Sequence, residues 1–329
     1  YKGLYAITSG TYNSVIGYEA GDAITTGQEN VVIGRNAMGA ATTTSSCVLL
    51  GVNAGAAINN NDANGTVAVG INALSALTEG QYNVAVGTNC LESVTTGDKN
   101  VALGYQALDA EDTGSHNIAI GYQSLTAQNN DNGMNTAVGN STGYQITSGH
   151  SNTLIGSGAG ATLTGGYQNT LIGRDSDATS GKINATAVGY GTIAQADDSV
   201  TLGNNSVSAV YMSSDKGAKV LAGGIAFTGS ELTVASGAVT ATGSYHRIDT
   251  EGDAGTDSLV TINGGVEGQL LVLQSAGSAR DTTLEDTGDA GGNLFLNGDF
   301  TLSHAQDSIT LLYSSADSGW IEVSRSDNG

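Results

Sequence analysis

A short apolar triplet closed by a glycine recurs along this chain, with a polar stretch between copies. Ser14-Val15-Ile16-Gly17 is followed by Val31-Val32-Ile33-Gly34, Val48-Leu49-Leu50-Gly51 and Val67-Ala68-Val69-Gly70. The closing glycine returns at Gly87, Gly104, Gly121, Gly139, Gly156, Gly173, Gly189 and Gly203, at intervals of 17, 17, 19, 17, 17, 17, 18, 17, 17, 16 and 14 residues. Ile, Leu or Val precedes it in all twelve copies. Four residues before it stands Asn in eight copies, from Asn13 and Asn30 to Asn152 and Asn169. Self-similarity at a fixed short period marks a stacked repeat architecture.

Each element of the repeat has a physical reading. Triplets such as Val84-Ala85-Val86 predict three-residue strands of small and β-branched residues. The glycine predicts a sharp bend. A second stretch, such as Gln106-Ala107-Leu108, predicts a second short strand, and Thr-Thr-Gly segments such as Thr95-Thr96-Gly97 predict the return turn. Asparagine at a fixed corner predicts a hydrogen-bonded ladder along the stack. One rung of about 17 residues encloses no thick core, so it must bury its faces against its neighbours. The flat sides stay partly apolar, which predicts homo-oligomerisation around the long axis. The fold class expected is therefore all-β, a parallel β-roll of about twelve rungs of 14–19 residues over 1–207. A connector follows over 208–239, with strands expected near 224–227 and 232–234, and then a C-terminal β-sandwich-like domain over 240–329. Runs at Gln269–Leu273, Asn293–Leu296, Ser308–Tyr313 and Trp320–Ser324 supply its strands.

Composition sharpens this picture. The chain has 329 residues, 49 glycines and no proline, and 12% of its residues are charged. Lack of proline fits a chain whose backbone N–H groups are nearly all needed in ladders. A net charge of −21 repels phosphate backbones, which argues against nucleic-acid binding and suits an exposed extracellular surface. No apolar run approaches the ~18–20 residues of a membrane span, so no membrane insertion is expected. The first repeat is already under way at Tyr1, and an upstream segment is expected to attach there. Cys47 and Cys90 occupy different repeat positions two rungs apart, which predicts two free thiols.

Candidate chemistry is sparse. The four histidines, His116, His150, His246 and His304, show no metal-type spacing, and no cofactor is expected. Asp249, Glu251, Asp253 and Asp257 form the densest acidic run, offering Ca²⁺ ligands or simply a solvated loop. Tyr105 and Tyr122 follow their glycines at one position in adjacent rungs, as a ligand-binding ladder or a structural one. His246, Arg247 and Trp320 are the remaining ligand-contact candidates, with a core role the other reading for Trp320. No catalytic residue is assigned and no enzyme is expected, because no acid departs from the repeat register as a glycosidase pair would.

The last two repeats, Ala185 to Ala194 and Asp198 to Ser206, resemble the head repeats of YadA-like trimeric autotransporter adhesins. The longer repeats resemble a variant found in bacteriophage tail fibres, and the stretches Gly243–Gly252, Gly265–Leu273 and Asp307–Ser324 resemble a tail-fibre C-terminal β-domain. The resemblance implies a left-handed roll packed as a homotrimer. It also implies a virion fibre that joins an upstream tail protein and binds a host-surface glycan or protein receptor. The alternatives are an adhesin head on a bacterial surface and a fibre-borne glycan depolymerase.

Overall fold

A computed structural model describes residues 3–59, 63–207, 210, 227, 229–277, 279–287 and 291–328. The chain divides into two compact units, Tyr1–Lys216 and Gly217–Gly329. Among the described residues there is no α-helix.

The first unit is a parallel β-solenoid. Its strands are β1 (Ser14–Ile16), β2 (Val31–Ile33), β3 (Val48–Leu50), β4 (Val67–Val69), β5 (Val84–Val86), β6 (Val101–Leu103) and β7 (Ile118–Ile120). They continue as β8 (Thr136–Val138), β9 (Thr153–Ile155), β10 (Thr170–Ile172), β11 (Asp177–Ala178), β12 (Thr186–Val188), β13 (Ile193–Ala194) and β14 (Val200–Leu202). Twelve of them, β1 to β10 with β12 and β14, form one parallel sheet in chain order. The register is constant: Ala85 faces Ala102, which faces Ala119.

The triplet's central residue points inward and its two flanks point out. Val32, Leu49, Ala68, Ala85, Ala102 and Leu154 are fully buried, while Ile33, Leu103, Ile118 and Ile155 are exposed. Inside the coil, most rungs trade bulk between two positions six residues apart. Ala68, Ala85, Ala102 and Ala119 go with buried Leu74, Leu91, Leu108 and Leu125. Leu49 and Leu154 go instead with Gly55 and Gly160, where an added Cβ would lie 3.0 and 3.1 Å from the leucine methyls. Two complementary packings thus fill the same narrow interior.

The closing glycine is fixed by its neighbour. Gly104 has φ +140°, and a Cβ there would lie 2.2 Å from the carbonyl oxygen of Gly121 in the next rung. That approach is far inside van der Waals contact, so only glycine fits.

The expected second strand is absent from the 17-residue rungs. Gln106 and Leu108 have φ of 52° and 53°, and Gln123 and Leu125 repeat this with 51° and 52°. Left-handed residues break extended structure, so the segment is a series of turns. It still bonds across rungs, as when Leu108 N–H donates to the Ser124 carbonyl at 3.0 Å. A true second strand forms only towards the end of the unit, where β11 pairs with β13 in parallel.

The second unit holds β15 (Ser230–Thr233), β16 (Ala238–Thr240), β17 (Tyr245–Asp249), β18 (Thr256–Leu259), β19 (Thr261–Asn263) and β20 (Leu270–Ser275). It ends with β21 (Asp281–Leu284), β22 (Leu294–Phe295), β23 (Phe300–Leu302), β24 (Ser308–Ser314) and β25 (Gly319–Ser326). Sheets of six, three and two strands surround one core that includes Ile248, Leu259, Leu271, Leu284, Ile309 and Trp320. The pairing is mixed. β15, β17 and β20 run parallel, and β20, β24 and β25 run antiparallel. The unit therefore opens as a wider coil and closes with a hairpin. β15 pairs with β17 and β16 with β19, so much of 230–239, expected as connector, is part of this unit. The strand expected near 224–227 falls largely outside the described residues.

Candidate functional site

The repeat places like residues in columns, and three columns carry the polar and aromatic chemistry. The inner one is the asparagine four residues before each glycine. The Oδ1 of Asn83 accepts the backbone N–H of Asn100 at 2.9 Å, and Asn100 does the same for Asn117 at 2.9 Å. Their Nδ2 groups donate to the carbonyls of Gly97 and Gly114 at 2.7 and 2.8 Å. Each buried amide thus ties its own corner to the next rung, as the sequence predicted, and satisfies a buried backbone donor. Cys47 and Thr66 interrupt the column beside the 19-residue rung, and the Thr66 hydroxyl is buried without a partner. The Asn117 Nδ2 is likewise unpartnered. The rung after it is one residue longer, and there Asn130 takes the place over Gly114 that Gly114 takes over Gly97.

A second inner column is apolar at Ile58, Leu77, Val94 and Ile146, but Glu111 and Gln128 occupy two of its places. Both are fully buried. The Glu111 Oε2 accepts Gln128 Nε2 at 2.7 Å, and its Oε1 accepts the backbone N–H of Gly114 at 2.7 Å. Burial pushes the Glu111 carboxyl up, against the lowering effect of these hydrogen bonds.

The outer column follows the glycine corner. Tyr105 and Tyr122 are exposed there and stacked, with centroids 5.5 Å apart and planes at 14°. Beside them runs an amide ladder: Asn53 Nδ2 donates to Asn72 Oδ1 at 3.0 Å, and Gln123 Nε2 to Gln106 Oε1 at 3.0 Å. Around the corner lies the outer face of the long sheet, with exposed Ile16, Ile33, Leu103, Ile118, Ile155 and Leu202 along its length.

Two ligand-contact expectations in the second unit are corrected. Trp320 is fully buried, its Nε1 donates to the Ile262 carbonyl at 2.9 Å, and Tyr313 packs on it edge-on at 5.2 Å. His246 is 2% exposed, and its Nε2 accepts the backbone N–H groups of Thr242 and Gly243 at 3.2 and 3.0 Å. Neither ring can reach a ligand. A strand's alternation encodes its two faces but not which is covered. Arg247 is exposed, and its guanidinium donates to the Ala276 carbonyl.

Among the described residues the acidic run is not gathered into a cage. Asp249 pairs with Arg280, Glu251 accepts the Ser236 N–H at 3.0 Å, and Asp257 accepts the N–H groups of Glu251 and Ser258 at 2.9 and 2.8 Å. The Asp253 side chain lies outside the described residues. Among the described residues only His304, Asp307 and Asp327 bring three ligand atoms together, a cluster that sequence reasoning missed. Asp307 is buried there as a turn clasp, accepting the N–H groups of Ser303, His304 and Asn328 at 3.0, 2.8 and 2.8 Å. Burial pushes its carboxyl up, but these N–H groups outweigh that and hold it below the usual range.

Both cysteines are free and buried. No protein-family model matches the chain, and neither a curated protein nor a solved structure matches it significantly.

Proposed function

We propose that the chain is a structural fibre protein of a virion, a tail fibre that assembles as a homotrimer and attaches to a host surface, without catalysis of its own. The outer face of the twelve-stranded sheet carries this reading. From β2 to β7 both flanks of each triplet are apolar, as Val31 with Ile33 and Ile118 with Ile120, and the last flank stays apolar along the rest of the sheet, as at Ile155, Ile172 and Leu202. Twelve strands at about 4.8 Å make that stripe roughly 50–60 Å long. An apolar stripe of this extent marks an interaction surface on a water-soluble protein. Identical chains meeting along it would bury it rung against rung. The repeat spacing, which resembles fibre and adhesin-head repeats, favours three copies and an extracellular setting. The rungs would then act as a stiff spacer for surfaces that recognise the host.

Light scattering and negative-stain imaging test this together. The expected result is a rod of about three times 32.8 kDa, converted to smaller species by Ile118→Lys. A monomeric native chain would sink the proposal, and release of reducing sugars from host polysaccharide would sink its non-catalytic part.

A further inference from the structure

We infer that a gap in the tyrosine column is a saccharide site, in which one neutral pyranose ring stacks on the free face of Tyr122. The inference rests on the fibre reading and names the ligand class its surface would take. Tyr105 covers one face of Tyr122. The other face looks toward the next rung, placed against it by the Ser141 N–H donating to the Tyr122 carbonyl at 2.8 Å. At the tyrosine's position that rung carries Asn140, and the rung beyond carries Ser157 followed by Gly158. The two rungs are in direct sequence, as Gly158 N–H donates to the Asn140 carbonyl at 2.9 Å.

Bulk returns only at Arg174, whose guanidinium lies over the Tyr190 ring at 5.7 Å and pairs with Asp175 at 3.2 Å. Asp175 N–H bonds the Ser157 carbonyl at 2.9 Å, so Tyr122 and Arg174 are three rung steps apart. At about 4.8 Å per step that is roughly 14 Å. The gap is thus walled by an aromatic face and a cation, and floored by short polar side chains.

This pairing of surfaces is what a sugar ring requires. Its C–H face packs on an aromatic ring, while its hydroxyls need donors and acceptors at the rim. Asn140 on the floor and Ser141 beside it supply them, joined by a Ser141 Oγ to Asn140 Oδ1 bond of 3.1 Å. Each carboxamide has two N–H donors and two acceptor lone pairs. The bond that Gln123 donates to Gln106 uses one donor, leaving it another for a hydroxyl. Charge narrows the class: the chain carries −21, and Arg174 is already paired with Asp175, so an acidic chain is disfavoured. The sugar takes the place the next tyrosine of the column would have filled.

That last statement supplies the test. Native chain, Tyr122→Ala, Asn140→Tyr and Tyr18→Ala are probed on an array of gluco-, galacto-, manno-, rhamno- and N-acetylglucosamine oligosaccharides with acidic glycans alongside. Native chain and Tyr18→Ala, which alters the same column outside the gap, should bind a neutral member alike. Tyr122→Ala should weaken binding about tenfold. Asn140→Tyr extends the ladder into the gap and should abolish binding while leaving the thermal midpoint and particle mass unchanged. Binding to acidic glycans only, no binding by native chain, or undiminished binding by Asn140→Tyr would overturn the site. Those results at a trimeric mass leave the fibre reading standing, whereas a monomeric mass refutes that reading whatever the array shows.

Discussion

The Oδ1 of Asn152 accepts both the backbone N–H and the Nδ2 of Asn169, each at 3.0 Å, across 17 residues of sequence. The same Asn152 donates its own Nδ2 to the Gly166 carbonyl at 3.1 Å. One buried side chain thereby holds three polar groups of the following rung. Asn152→Ala should cost about 2–4 kcal/mol, since it strands a buried donor and a carbonyl. Asn152→Asp should be no better, because a carboxylate cannot donate to Gly166. Urea denaturation of the two variants against native chain checks this.

The glycine column should tolerate nothing larger. Gly104→Ala sets a methyl 2.2 Å from a backbone oxygen at φ +140°, and is expected to cost 4 kcal/mol or more, by estimate from backbone strain and overpacking. Gly181→Ala meets nothing within 4 Å at φ +83°, so its cost should stay near the ~1–2 kcal/mol of a left-handed alanine. Thermal midpoints of both variants measure the difference.

The exchange of bulk inside the coil can be tested as a pair. Ala85→Leu overfills a rung that already holds Leu91 and should cost about 1–3 kcal/mol. Adding Leu91→Gly recreates the packing of Leu49 with Gly55 and should recover most of the loss. A double-mutant cycle reads the coupling directly.

Glu111 gives a pH signature of known sign. Its carboxyl is raised in the folded chain, chiefly by burial, above the ~4.3 of an unfolded glutamate. The folded state therefore binds the proton more tightly. Its contribution to stability is full below the unfolded value and is lost as pH rises through the folded one. Glu111→Gln should remove this decline, so its denaturation midpoint should fall less than the native one between acidic and neutral pH. An equal decline in both proteins would show that another group is responsible.

The thiols should be silent in the folded protein. Burial pushes Cys90 up to about 12 and raises Cys47 as well. Thiolate is the reactive form, so a maleimide at pH 8 should label neither residue until urea unfolds the chain, as mass spectrometry would show.

The repeat was legible because one neighbour rule is written twelve times over. Triplets, glycines and asparagines each fell where the ladder needs them. What escaped was the backbone of Leu108 and Leu125, since no propensity places leucine in the left-handed region. Cross-rung bonds and interior packing hold it there, and both belong to the stack rather than to the segment. In the second unit the strand runs were legible but their partners were not. Tyr245 meets Val272 in parallel, 27 residues on, and nothing in either segment encodes that pairing. The roles of His246 and Trp320 depended on the same non-local facts, as did the Asn328 contact that completes the otherwise local clasp at Asp307.

The constant register gives the shaft a modular length. The strand register and the closing glycine are the same from rung to rung, so excising residues 87–103 would bring Val86 to Gly104 and leave the backbone junction like any other. Duplication or loss of one whole period is then nearly neutral for the fold, while a change of a few residues puts a rung out of phase with its neighbours. A lineage carrying this scaffold can adjust its reach in steps of one rung by simple recombination between repeats, without redesigning a single contact.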